Sequence, residues 1–133
     1  MGQTAKIRRS MALVVHPDIA ALTAFQGAFT QNGIQTIVAR DLPTALLAMA
    51  QHYFDLAIIS SCIAEEGDGW PLAAVVQMSF PRSLVGVIAP STGVLELKSA
   101  INHQVSGVYE RSSAPEEVVA SLLGSTASQT QIH

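Results

Sequence analysis

Three residue types that together could run nucleophilic catalysis stand at the ends of apolar runs. His16 and Asp18 follow Met11-Ala-Leu-Val-Val15, and Ser60 follows Leu56-Ala-Ile-Ile59. A serine attacks only when a base within hydrogen-bond reach takes its proton and a third group orients that base. The setting Ile59-Ser60-Ser61-Cys62 is not a Gly-x-Ser-x-Gly elbow, and no oxyanion hole is marked. A Ser60/His16 hydrolase therefore stays an alternative, behind a reading in which both are polar residues without a reaction to run.

Other chemistry is as thinly supported. His16, His52 and His103 fall in separate segments, and Glu65-Glu66 with Asp68 lacks the ordered ligand spacing of a calcium loop. Cys62 is the single cysteine, which excludes an internal disulfide and a cysteine-based zinc cluster. No metal and no cofactor are expected. Arg111 could grip a phosphate or sulfate; the plainer reading is a salt bridge to Asp18 or a solvated side chain. A small-anion or nucleotide binding module is a further alternative. Against it, no glycine-rich phosphate loop follows the first apolar run.

These residues must be positioned by regular elements. Met11–Val15, Ile34–Ala39, Leu56–Ile59, Leu84–Ala89 and Gly107–Glu110 read as strands. Most are apolar throughout, as strands covered on both faces are. Between them lie helical patterns. The first runs from Ile19 to Asn32 with Ile19, Leu22, Phe25 and Phe29 on one face, Asp18 as its cap and Gly33 as its stop. The second starts at Asp41 with Leu42, Ala45, Leu46 and Met49. The third spans Pro71 to Ser79, and Trp70 packs at its start. The fourth opens at Pro90-Ser91 and carries Leu95, Lys98 and Ile101. Ser113-Ala-Pro-Glu116 is a capping box for the fifth, which Gly124 closes. Strict alternation predicts a doubly wound α/β fold: a five-stranded parallel sheet in order 2-1-3-4-5, two helices on one face and three on the other. The functional edge of such a sheet lies at the carboxyl ends of its strands. Leu13, Val15, Ile37, Leu56, Ile58, Val87 and Ile88 are expected to be buried.

Composition sets the outer limits. The chain has 133 residues, enough for one domain, here 11–124 between an arm (1–10) and a flexible polar tail (125–133). Hydrophobic residues are 49% and charged residues 13%, which excludes disorder over most of the length. The net charge of −3 excludes a strongly basic nucleic-acid footprint, and Lys6, Arg8 and Arg9 lack interleaved aromatics. The run Leu84–Ala89 is too short to span a bilayer. His16-Pro17-Asp18 breaks the apolar stretch that a signal peptide would need. A cytoplasmic protein, bound neither to membrane nor directly to nucleic acid, is expected.

In element order and spacing, residues 10–123 resemble a response-regulator receiver domain. Phe54-Asp-Leu-Ala-Ile-Ile59 is similar to the family's third strand. Gly67-Asp68-Gly69-Trp70 is similar to the turn that opens its third helix, after a loop one residue longer. Gly107-Val108-Tyr109 is similar to its fifth strand with the switch-position aromatic, and Ser113 to Leu123 to its last helix. The resemblance implies a flavodoxin-like three-layer fold and a place in two-component or phosphorelay signalling. It also exposes departures. The family's two metal-holding acids fall at His16 and Pro17, with Asp18 just beyond; its phospho-accepting aspartate falls at Ser60. Its Thr or Ser after the fourth strand falls at Ala89, its Lys at Arg111 and the following proline at Ser112; only Tyr109 stands as the pattern asks.

Magnesium wants an oxygen-rich octahedral site, and an acyl phosphate needs a carboxylate nucleophile. The expectation is a non-enzymatic pseudo-receiver with a degenerate phosphorylation pocket, acting by protein–protein interaction. Its partners would be a histidine kinase, an output domain or a second copy. The resemblance points to the surface of the fourth helix, fifth strand and fifth helix, where Leu95, Lys98, Tyr109 and Glu110 are the interface candidates, a mixture that suits a homodimer.

Overall fold

A computed structural model describes residues 10–131, with side chains described as far as Gly124. The arm bearing Lys6, Arg8 and Arg9 and the end of the tail lie outside the described residues. The described chain alternates β1 (Met11–Val15), α1 (Ile19–Gln31), β2 (Gln35–Ala39), α2 (Leu42–Gln51), β3 (Leu56–Ser60), α3 (Gly69–Ser79), β4 (Leu84–Ala89), α4 (Val94–His103), β5 (Gly107–Glu110) and α5 (Pro115–Gln131). The strands form one parallel sheet in the order β2-β1-β3-β4-β5, as the alternation requires.

Two cores flank the sheet. Leu13, Val15, Ile59, Val85 and Val87 face α2, α3 and α4. Ala12, Val14, Ile58 and Ile88 face α1 and α5. Because side chains alternate along each strand, β1, β3 and β4 supply both cores from one apolar run. Asp18 caps α1, its carboxylate accepting the Ala20 amide at 3.1 Å, and Asn32 with Gly33 (φ +74°) ends it. Asp41 caps α2 by accepting the Thr44 amide at 2.9 Å.

Several expectations need correction. Ile37 is only half-buried, because β2 is an edge strand with one neighbour. Ile19, Leu42, Leu46 and Ile101 are exposed rather than inward. In α2 and α4 the small residues Ala45, Ala48 and Ala100 take the sheet contact. The fourth helix starts at Val94, not at Pro90, with Gly93 as its cap. The fifth starts at Pro115, so the carbonyl of Ala114 rather than a Ser113 box receives the Glu117 and Val118 amides, each at 3.0 Å. It runs past Gly124 to Gln131: Gly124 has no positive φ and nothing after it forbids a helix.

Candidate functional site at the carboxyl edge

The carboxyl ends of β1, β3, β4 and β5 bring His16, Pro17, Asp18, Ser60, Ala89 and Arg111 to one edge. Each is fixed by its backbone. The His16 amide donates to the Ala39 carbonyl at 3.1 Å, and the Arg111 amide donates to the Ala89 carbonyl at 2.8 Å. Arg40 straps the β1–α1 turn, its Nε and Nη2 donating to the Pro17 carbonyl at 3.3 and 3.2 Å. Arg40 follows the carboxyl end of β2, and a guanidinium anchoring a backbone carbonyl from the neighbouring strand has no local sequence signature.

Ser60 is 3% exposed and its hydroxyl is spent locally. It donates to the Cys62 carbonyl at 2.8 Å and accepts from the Cys62 amide at 3.2 Å. A serine has one proton to give, so this one does not go to His16. His16 is buried as well. Its Nδ1 accepts the Asp18 amide at 3.1 Å, which puts the neutral ring's proton on Nε2. The Asp18 carboxylate is turned to the α1 cap. The edge thus assembles the three residue types but not the chain of hydrogen bonds that a triad needs.

Burial pushes the His16 pKa below its ordinary value of 6.5; Asp18 pulls it back and Arg111 pushes it down further. The folded protein therefore binds that proton less readily than the unfolded chain does. Above pH 6.5 both states are neutral and nothing is lost. As pH falls below 6.5 the unfolded chain gains the proton first, so stability declines until the folded pKa is passed. We expect urea unfolding at pH 7.5 and 5.5 to show this decline, and His16→Gln to flatten it. A variant with the unchanged slope would place its origin elsewhere.

The β3–α3 loop is organised by Asp68. Its carboxylate accepts the amides of Ile63, Ala64 and Glu65 at 2.6, 2.9 and 2.9 Å. Partial burial opposes its charge, but those amides outweigh it and hold the pKa below the usual value. Asp68 is therefore the loop's scaffold and not a cation ligand, and no metal-holding group of three His, Cys, Asp or Glu exists among the described residues. His52 lies beside Phe54 and His103 against Trp70, on different parts of the molecule.

Tyr109 lies partly buried on the α5 side of the sheet. Gly86 and Gly107 are register partners, and their missing side chains make the slot for its ring. Its hydroxyl donates to Ser121 at 3.2 Å. Leu95, Lys98 and Glu110 are exposed, and Glu110 accepts a long bond of 3.5 Å from Thr92.

No protein-family model matches the sequence, and no curated protein matches it. Solved structures do match in shape. A CheY-like receiver-domain protein from Methanospirillum hungatei superimposes with TM-score 0.80 at 14% identity, covering 93% of this chain and 98% of that one. A response regulator from Burkholderia pseudomallei, solved with a phosphorylated aspartic acid, calcium and citrate, gives 0.78 at 14%, over 92% and 72%. The regulator DrrB of Thermotoga maritima gives 0.81 at 11%, over 92% of this chain and 54% of that one. What this chain shares with response-regulator receiver domains, at such sequence distance, is their fold.

Proposed function

We propose that the chain is a signal-transduction receiver domain that works without phosphorylation, by docking a signalling protein or a second copy through α4, β5 and α5. The observation that carries this is the bare apolar surface of α4. Val94, Leu95 and Ile101 are 70, 74 and 76% exposed, on a helix that buries little more than Ala100. Beside it a groove of about 420 Å³ runs between α4 and β5, walled by Leu97, Ala100, Ile101, Val105, Gly107 and Val108. Apolar patches of this kind, rimmed by Glu96, Lys98 and Glu110, suit a protein contact. The missing carboxylates at His16, Pro17 and Ser60 support independence from phosphate. The anion-module alternative keeps only the exposed Arg111, and the hydrolase alternative lacks a Ser60–His16 bond.

Leu95→Asp tests the surface. The side chain is so exposed that stability is expected to change by less than about 0.5 kcal/mol. Association, read as mass by light scattering or as affinity for a cognate kinase or output domain, is expected to weaken about tenfold or more. A wild type that stays monomeric at high concentration would dispose of the homodimer. Association indifferent to both Leu95→Asp and Tyr109→Ala would move the interface to another face, with α1 the next candidate.

A further inference from the structure

Beside the degenerate pocket, on the other side of the β3 terminus, the β3–α3 loop and the first turns of α4 enclose a cavity of about 230 Å³. Its wall includes Ser61, Cys62, Glu66, Trp70, Glu96 and Ser99; none of His16, Asp18 or Arg111 reaches it. The charged groups on the wall are two carboxylates, and no lining residue is a cation. Ser61 is 4% exposed. Its amide donates to the Ile88 carbonyl at 2.8 Å and its carbonyl accepts the Gly69 amide at 3.0 Å. Its hydroxyl has no hydrogen-bond partner among the described residues and Ser61 borders the cavity, so an acceptor is left for whatever enters. Trp70 lies between α3 and α4 with its ring centroid 5.8 Å from that of His103, which holds the indole in place. The loop is already rigid without an occupant, since Asp68 ties three of its amides and Ser60 fixes Cys62.

We propose that this cavity binds an organic cation through a primary ammonium or guanidinium head group. Two carboxylates and a serine oxygen accept from N–H donors, and an indole face attracts a spread positive charge. A bare metal ion fits less well, because the described residues offer no set of three ligands in reach of one ion. The head group could belong to a free amine or to an arginine or lysine side chain presented by another protein; the chemistry is the same. This site adjoins the α4–β5 docking surface, with which it shares Glu96, but none of the apolar residues of that surface lines it.

Trp70 is the single tryptophan, so its fluorescence reports on the cavity directly. The full chain is titrated with agmatine, with an arginine-containing peptide and with neutral n-butylurea, and amide shifts of Ser61 and Gly67 are followed by NMR as a second readout. A saturable response to either cation, and none to n-butylurea, is expected. The Glu66→Gln/Glu96→Gln double variant, with its fold checked by circular dichroism, is expected to bind about tenfold more weakly or worse, and Ser61→Ala to lose several-fold. Saturation by agmatine marks a free-amine site; saturation by the peptide alone marks a presented side chain, and either supports the proposal. No saturable response in both readouts, an equal response to n-butylurea, or unchanged affinity in the folded double variant would overturn it.

Discussion

Replacing Gly69 by alanine is expected to lower the unfolding free energy by about 3 kcal/mol, the upper end of the range for overpacking. A Cβ there would overlap the Ser60 carbonyl oxygen and stand 2.8 Å from the Ser60 carbonyl carbon and 2.9 Å from the Ser61 Cα. All three are backbone atoms, so no rotamer change relieves them. The Gly69 amide also donates to the Ser61 carbonyl at 3.0 Å, stitching the start of α3 to the end of β3. Relief means sliding α3, which buries Trp70, Leu72, Ala73 and Val76. Gly27 is the matched control. It lies inside α1, and a methyl group added there would meet nothing within 4 Å, so Gly27→Ala is expected to add about 0.5–1 kcal/mol from backbone entropy. Urea denaturation of both variants separates the effects. A Gly69→Ala protein as stable as the wild type would mean that the junction has slack.

That junction also marks the limit of what sequence pattern reveals. Continuous apolar runs bounded by His16-Pro17, Ser60-Ser61 and Pro90 located β1, β3 and β4 because strands covered on both faces have no polar side to confuse the reading. Helix faces were harder. In α4 the large apolar residues recur with a helical period whether they pack on the sheet or stand bare, so Ile101 read as inward although it is exposed. The structure gives that contact to Ala100, a residue small enough to let the helix approach closely. The same exchange occurs in α2, where Ala45 and Ala48 are buried and Leu42 and Leu46 are not.

At the candidate site, the positions were legible and the bonds were not. Strand ends told which residues gather on the carboxyl edge. They could not tell that the Ser60 hydroxyl is committed to Cys62, or that the His16 ring is buried with its Nδ1 on the Asp18 amide. Both are contacts across two residues in irregular backbone, where no periodicity operates. Asp68 offered a clearer clue, since an aspartate between Gly67 and Gly69 is a common loop scaffold. Its three amide bonds explain why the acidic loop needs no cation to be ordered.

Ser60→Asp alone is expected to leave the protein without phosphoryl uptake. Transfer from acetyl phosphate requires a carboxylate oxygen to form a bond to phosphorus as the bond to acetate breaks, with charge on the phosphoryl oxygens held by a metal. The substitution supplies the nucleophile and nothing else. His16 would still present a neutral imidazole where the receiver pattern has a carboxylate, and Pro17 has no side-chain ligand while its carbonyl is held by Arg40. Asp18 is engaged at the α1 cap. Ala89, fully buried, has no hydroxyl to meet the new group. A carboxylate at residue 60 would also give up the bond donated to the Cys62 carbonyl and face that oxygen with a negative charge in a site that is 3% exposed, so some stability is expected to be lost with no activity gained. Rebuilding the edge together, with His16→Asp, Pro17→Asp, Ser60→Asp, Ala89→Thr and Arg111→Lys, is expected to give a magnesium-dependent mass gain that EDTA abolishes. Intact-mass measurement after incubation with acetyl phosphate reads all three proteins, with circular dichroism to show that each is folded. Uptake by Ser60→Asp would mean that Asp18 and water suffice to hold the metal, and uptake by the wild type would mean that a group other than residue 60 is the nucleophile. A folded five-site variant that takes up nothing would mean that these positions do not correspond to the receiver pocket.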